Sequence, residues 1–460
     1  MILRLYNSLT RAKDEFKPLA PPKVGLYTCG PTVYNYQHVG NYRTYIFEDV
    51  LVRALKLLGY EPYRVLNITD VGHLTSQADE GEDKMEVGAA REGKSAGEIA
   101  KFYTEAFLKD CAALNLLKPD TLCKATDHIE EQIALIARLE AKGLTYRISD
   151  GIYFDITRFP DYGQLMGLKH HLDSTAGARV EVNPEKRNPM DFALWKFSPK
   201  GKKRQMEWPS PWGKGFPGWH IECSAMAMKY LGETFDIHCG GVDHIPVHHT
   251  NEIAQSEGAT GKPFAKVWLH GEFLLMNNAK MAKSAGGFVK LADLGPLGFS
   301  PLDYRYHCFT AHYRKQLDFT WESLESSKTA RRRLIEAARA LAAADPKPGC
   351  AEFSARFKDA LSDDLNMPAA LAAVWDALRS DLPAGAKKTL LNEAESVLAL
   401  DVFKTAADVV VDPAVVKLLA RREAARKSKD FAESDRLRGE IEALGWTVKD
   451  SKEGAKAVRK

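Results

Sequence analysis

The segment 27–41, YTCGPTVYNYQHVGN, limits what this chain can fold into more than any other stretch. Before it, Val24-Gly25-Leu26-Tyr27 reads as a short buried strand. After it, apolar residues recur at helical spacing over 41–58 (Tyr42, Tyr45, Ile46, Val50, Ala54, Leu57, Leu58) until Gly59 breaks the pattern. A lone thiol, Cys29, and a His-Val-Gly-Asn run starting at His38 therefore lie on a strand-to-helix crossover. In an open α/β sheet ligands bind at the carboxyl ends of the strands, and anions are drawn to the following helix N-terminus. The segment predicts a nucleotide pocket with a sulfur ligand at its floor.

A chain of 460 residues exceeds one hydrophobic core and predicts about two to four domains. With 45% hydrophobic and 27% charged residues it has the composition of an ordinary globular protein. No stretch approaches the roughly 20 apolar residues of a membrane span, and the N-terminus shows no apolar leader, so no membrane partner and a cytoplasmic location are expected. The seven cysteines (29, 111, 123, 223, 239, 308, 350) are odd in number, scattered and free of any CxxC pair, which points away from a disulfide framework. The formal net charge is only +3, yet residues 415–460 carry thirteen Lys/Arg against eight Asp/Glu. A basic terminal module fits a polyanionic partner, and a solvated helix pair would have the same charge pattern.

Strand and helix signals alternate through the first quarter of the chain, with Tyr63-Arg64-Val65-Leu66-Asn67-Ile68 as a second strand ending in Thr69-Asp70. Residues 119–216 change character, with a helix, short aromatic strand pieces and the run WPSPWGKGFPGW. Strand signals return at Phe235-Asp236-Ile237-His238 and Lys266-Val267-Trp268-Leu269-His270, with a helix from about 247. Beyond 322 the pattern is helical, broken at Pro346, Pro348, Pro383 and Pro413. The expected organisation is a Rossmann-like α/β domain in two halves, 1–118 and 217–321, parted by an insertion at 119–216. A helical domain at 322–410 and a basic module at 411–460 follow, with segments 445–450 and 455–460 as short strands.

His248 and Glu252 stand i, i+4 and share one face of a helix, as a chelating pair would. Such pairs are commonly surface salt bridges, and single cysteines are commonly small buried hydrophobes. Taken together, the thiols of Cys29 and Cys223, one imidazole and one carboxylate suit Zn2+ and suit Mg2+ or Ca2+ poorly. The run Asn277-Asn278-Ala279-Lys280-Met281-Ala282-Lys283-Ser284 ends in glycines and carries two lysines three apart. It can bring cations onto a triphosphate, or be a solvated basic turn.

The order of these pieces is more specific than any one of them. HVGN after the first strand and KMAKS far downstream resemble the two signatures of class I aminoacyl-tRNA synthetases. TCGPTVYNYQHVGN, NITD, RNPMDFALWK, GWHIECSAM, FDIH-x-GG, HHTNEIAQS and KMAKS resemble, in that order, the cysteinyl-tRNA synthetase family. The resemblance implies a class I catalytic domain with an insertion, an α-helical anticodon-binding domain and a small C-terminal tRNA-binding module. It implies that ATP, with Mg2+, and L-cysteine form cysteinyl-adenylate, and that the cysteinyl group passes to the terminal adenosine of tRNA(Cys), the chain acting as a monomer.

By the same resemblance Cys29, Cys223, His248 and Glu252 are the ligands of one Zn2+ that selects the substrate thiolate. His38, Asn41, Lys280 and Lys283 serve catalysis, with Lys283 the direct ATP contact. Gly40 lets the adenine approach the backbone, Asp243 accepts from the ribose, and Thr69, Trp219 and His238 line the cysteine pocket. The sequence departs from the family pattern at Asn41 (a final His), Ala282 (a Ser), Thr250 (commonly acidic) and the segment after Asp70, VGHLTSQADEGEDKM. Trp446 would pack in a core or stack on a base. Three other readings are a mycothiol-pathway cysteine ligase with the same adenylation chemistry, a non-enzymatic RNA-binding paralogue and a generic zinc-stabilised nucleotide-binding module. The residues after Phe319, the full ATP and metal set, and the KMAKS loop respectively speak against them.

Overall fold

A computed structural model describes every residue except 74–82, 168–182, 200, 202–203, 277–278, 281–287, 405–412, 445, 452–453 and 460. A hairpin of β1 (Arg4–Asn7) and β2 (Ala12–Glu15) precedes β3 (Lys23–Thr28), the long helix α1 (Val39–Leu57) and β4 (Glu61–Ile68). Helices α2 (Lys84–Glu92) and α3 (Ala96–Ala113), β5 (Thr121–Lys124) and α4 (Ile129–Ala141) follow. Strands β6 (Thr145–Ile148), β7 (Gly151–Phe154), β8 (Phe192–Phe197) and β9 (Gly215–Pro217) form an antiparallel sheet of their own. The chain then returns through α5 (Trp219–Leu231), β10 (Phe235–Gly241), α6 (His248–Thr260) and β11 (Ala265–Gly271).

Five strands make one parallel sheet in the order β11-β10-β3-β4-β5. The two sequence segments read as halves of one domain thus meet where β3 lies beside β10. β5 joins this sheet, so the parallel core runs past the expected boundary at 118. Period-two alternation sorts the faces. Val24 and Leu26 of β3, with Ile237 and Cys239 of β10, face the cluster beneath α1. Tyr27 and Cys29 face the opposite cluster, against α5 and α6. Asp236 fixes the β3 approach, its carboxylate accepting from the Leu19 and Gly25 N–H groups at 2.6 and 2.7 Å.

A three-stranded sheet of β12 (Leu274–Met276), β13 (Ala279–Lys280) and β14 (Leu317–Phe319) lies beyond β11, with α7 (Pro301–Cys308) between β13 and β14 in sequence. Helices α8 (Trp321–Ala340), α9 (Ala351–Ser362), α10 (Met367–Arg379) and α11 (Ala384–Leu398) follow. The terminal module is α12 (Pro413–Lys427), α13 (Phe431–Ala443) and the hairpin β15 (Trp446–Ser451)–β16 (Gly454–Arg459), around its own small core. Trp446 is buried in that core beside Val415 and Ile441, a packing position. Arg422 and Arg426 are paired with Asp450 at 2.8 and 2.6 Å.

The helical region is bolted to α1 by buried charge. Arg305 is fully buried; its guanidinium pairs with Asp49 at 2.6 Å and donates to the Leu398 and Leu114 carbonyls at 2.7 and 3.1 Å. Arg53 shares Asp49 at 2.7 Å and donates to the Ser396 carbonyl at 3.1 Å. The carbonyls at the end of α11 are thus satisfied by cations, the favourable sign for a helix C-terminus. Replacing one partner of a buried pair leaves an uncompensated charge, so Arg305→Met is expected to cost about 3–5 kcal/mol in denaturant unfolding. A loss below about 1 kcal/mol, the range of surface substitutions, would contradict this role.

Candidate functional site

The site lies at the carboxyl ends of β3 and β10, the edge where ligands enter such sheets. His38 caps α1: its Nδ1 accepts the Asn41 N–H at 3.1 Å, and the Asn41 Oδ1 accepts the His38 N–H at 3.2 Å. This is a reciprocal capping box built from an imidazole and an amide. It gives Asn41, the departure from the family's final His, a local purpose. A Cβ on Gly40 would stand 2.9 Å from His38 Nδ1, so the glycine makes room for the cap itself. The positive end of the helix dipole faces the crossover.

Four donors meet below it. One ligand atom each from Cys29, Cys223, His248 and Glu252 lies within 4.8 Å of the others, and all four residues are buried. Cys29 follows β3, Cys223 sits one turn into α5, and His248 and Glu252 occupy successive turns of α6. Burial alone would lower the His248 pKa, but the Glu252 carboxylate at 3.0 Å and Cys223 push it up to about 10. Burial would raise Glu252, but His238 and His248 hold it down to about 2. A hydrogen bond from the Cys29 thiol pulls Cys223 down, while burial pushes Cys29 up. Soft thiolates, an imidazole and a carboxylate in one buried cluster are a donor set for Zn2+.

A layer of imidazoles surrounds this cluster. His238 holds the second Glu252 oxygen at 2.9 Å and stacks on Trp268 with ring centroids 4.5 Å apart. His220 Nδ1 meets His248 Nδ1 at 2.9 Å. His249 Nε2 lies 3.4 Å from Cys29 Sγ; its Nδ1 meets His270 Nε2 at 2.8 Å, and His270 Nδ1 meets the Ser8 hydroxyl at 2.8 Å. Cys29, His238, His249 and Glu252 form a second close set that overlaps the first. Burial lowers the pKa of His220, His249 and His270, which keeps these rings neutral. Sequence reading missed His220, His249, His270 and Ser8. The available signals were the doubled histidine at 248–249 and the position of His270 two residues past Trp268, on the same strand face.

The other expected positions are distributed around this floor. Trp219, at the start of α5, puts its ring 4.7 Å from that of His248 and has the Lys84 ammonium 5.2 Å from its centroid. Thr69 is buried after β4, its hydroxyl accepting from Asn67 Nδ2 at 3.1 Å. Below it a buried Glu222, raised by burial and by Asp70, meets His73 at 2.7 Å. Asp243 is exposed in the turn after β10. Thr250 donates to the Ile245 carbonyl at 2.6 Å. Lys280 belongs to strand β13, opposite Leu275. Lys283 and Ala282 lie outside the described residues.

The family model "tRNA synthetases class I (C) catalytic domain" matches residues 15–329, and "Cysteinyl-tRNA ligase anticodon binding domain" matches 409–457. The second match falls on the basic terminal module. Cysteine–tRNA ligase 1 of Burkholderia lata is 52% identical over 458 residues, covering 99% of this chain and 96% of that protein. Cysteine–tRNA ligase of Treponema denticola is 44% identical over 486 residues, covering 98% of each. Among solved structures, Mycobacterium tuberculosis methionyl-tRNA synthetase in complex with methionyl-adenylate is similar in fold, with TM-score 0.58 and 16% identity over 82% of this chain and 90% of that one.

If the four donors hold the metal, Cys223→Ser abolishes stoichiometric zinc in the purified protein, and Cys111→Ala, a half-buried thiol on α3, leaves it intact. Unchanged metal content in Cys223→Ser would remove that residue from the site.

Proposed function

The chain belongs to the cysteine–tRNA ligase family of class I synthetases, and from that premise we propose that it activates L-cysteine with ATP and transfers it to tRNA(Cys). The convergence of Cys29, Cys223, His248 and Glu252 within 4.8 Å, beside the capped start of α1, carries this reading. These four residues would hold Zn2+. The ion, when bound, supplies a ligand position that takes a thiolate and lowers its pKa, and that a neutral alcohol fills poorly. Shape alone separates such near-isosteres by only about 10²-fold, so selection against serine needs a difference of this chemical kind.

Trp219, Thr69 and His238 wall the amino-acid pocket. His38, Asn41 and Gly40 turn the N-terminus of α1 toward the triphosphate, which arrives with Mg2+. Asp243 accepts from the ribose hydroxyls. The substrate carboxylate is already ionised, so its oxygen attacks the α-phosphorus without a general base and pyrophosphate leaves. Lys280 and Lys283 stabilise the charge that grows on that leaving group. A ribose hydroxyl of the terminal tRNA adenosine then attacks the adenylate carbonyl, and AMP departs. The rate gain comes from positioning and preorganised charge.

The basic module at 411–460 and the helices at 322–410 together support tRNA as acceptor, which disfavours a sugar-amine acceptor. All seven cysteines are free, and no helix among the described residues is long and apolar enough to cross a membrane. Both facts support work in the cytoplasm, and we take the monomer as the acting unit. The test is pyrophosphate exchange with cysteine and with serine, followed by transfer to tRNA. Cysteine-dependent exchange, negligible exchange with serine and acylation of tRNA(Cys) are expected. Absence of exchange by zinc-loaded protein would refute the proposal.

A further inference from the structure

Arg43 lies on α1 two residues beyond the HVGN run, with only 4% of its surface exposed, and makes no salt bridge among the described residues. A buried guanidinium without a carboxylate must find other acceptors. Arg43 finds four backbone carbonyls. Its Nη1 donates to Glu272 at 2.9 Å and to Phe273; its Nη2 donates to Lys315 and to His312 at 3.4 Å. Residues 272–273 lead directly into β12, and residues 312–315 lead into β14. β12 pairs with β14 on one side and with β13, which carries Lys280, on the other. The two approaches also bond each other, the Glu272 N–H donating to the Tyr313 carbonyl at 2.8 Å and the Leu317 N–H to Phe273 at 3.3 Å. Downstream, the Val39 N–H at the start of α1 donates to the Val289 carbonyl at 2.9 Å. The chain on either side of the KMAKS segment is therefore tied to the helix that begins with HVGN, and Arg43 makes the upstream tie.

We propose that Arg43 is a positioning residue for adenylation: its fork of donors fixes the β12–β13 pair that carries Lys280 at a set distance from the start of α1. The inference rests on the adenylation reading above. The planar guanidinium can serve four carbonyls from two directions, and a lysine ammonium is a point donor that cannot span them. Transition-state stabilisation by preorganised charge is sensitive to displacements of about 1 Å, which cost on the order of 10²-fold in rate. Arg43 also lines a cavity with Ile46, Phe47, Val50, Cys308 and Phe309, so truncation to alanine would add a packing defect. Lysine and methionine keep the side-chain length.

The experiment uses the full-length, zinc-loaded protein with Arg43→Lys and Arg43→Met. Cysteine-dependent pyrophosphate exchange is expected to lose about 100-fold in kcat in Arg43→Met and less in Arg43→Lys. The KM for cysteine, the zinc content and the single-turnover transfer from preformed adenylate to tRNA(Cys) are expected to stay at wild-type values. In a Lys280→Ala background the same Arg43 substitutions are expected to cost much less, because the group they displace is gone. Equal losses in exchange and transfer, or the same factor with and without Lys280, would overturn the inference and leave the adenylation reading standing. If Arg43→Met does not fold, Arg43→Lys decides by the same comparison. A wild-type protein without cysteine-dependent exchange would instead refute the reading beneath it.

Discussion

The parallel pairing of β3 with β10 is the contact on which the rest depends. These strands are far apart in sequence, and their register sets Leu26, Tyr27 and Thr28 against Ile237, His238 and Cys239. Through that pairing Cys29 leaves the sheet beside the strand that launches α6, and α5 packs across β3 and β4. Strand alternation does the rest. Tyr27, Cys29 and His238 emerge on the face that meets Cys223, His248 and Glu252. A one-residue slip in the register would send Cys29 to the face under α1 and dissolve the cluster.

The second constraint is that α1 serves several masters. Its first turn makes the HVGN cap, and its second carries Arg43 to the backbone around β12 and β14. Its third and fourth turns carry Asp49 and Arg53 to Arg305 and the end of α11. One rigid helix thus ties the nucleotide end of the site to the helical region. The helix has few degrees of freedom left, as nearly every side chain from Tyr42 to Leu55 is buried or engaged.

Much of this was legible in the residues. The strand at 24–27, the helix over 41–58 and the i, i+4 pair in HHTNE follow from period and spacing, Cys223 joined them through donor chemistry and the family resemblance, and the structure brings the four donors together. What the sequence hid was anything set by a second element. Asn41 entered the catalytic set by resemblance, and the structure also uses its amide to close the cap on His38. Gly40 read as room for an adenine, and the nearest obstruction to a Cβ is the His38 ring. His249 and His270 were invisible because each is an ordinary histidine until α6 and β11 are packed against Cys29. Arg43 carries no signal in the sequence, since its carbonyl partners come from two distant segments, 272–273 and 312–315. Residues 121–124 fall within the insertion expected at 119–216, and the structure pairs them with β4; so short a run carries no label of the sheet it will join.

Everything proposed for this site turns on whether the four-donor cluster holds a metal that recognises the substrate's sulfur. The most direct measurement replaces zinc with cobalt and follows the visible and near-ultraviolet spectrum while cysteine, then serine, is added without ATP. The expected result is a cobalt-loaded protein whose thiolate-to-metal charge-transfer absorption grows on adding cysteine and stays unchanged with serine. A spectrum indifferent to cysteine, in a protein that still binds it, would mean that the metal does not touch the substrate and that selection rests on something else.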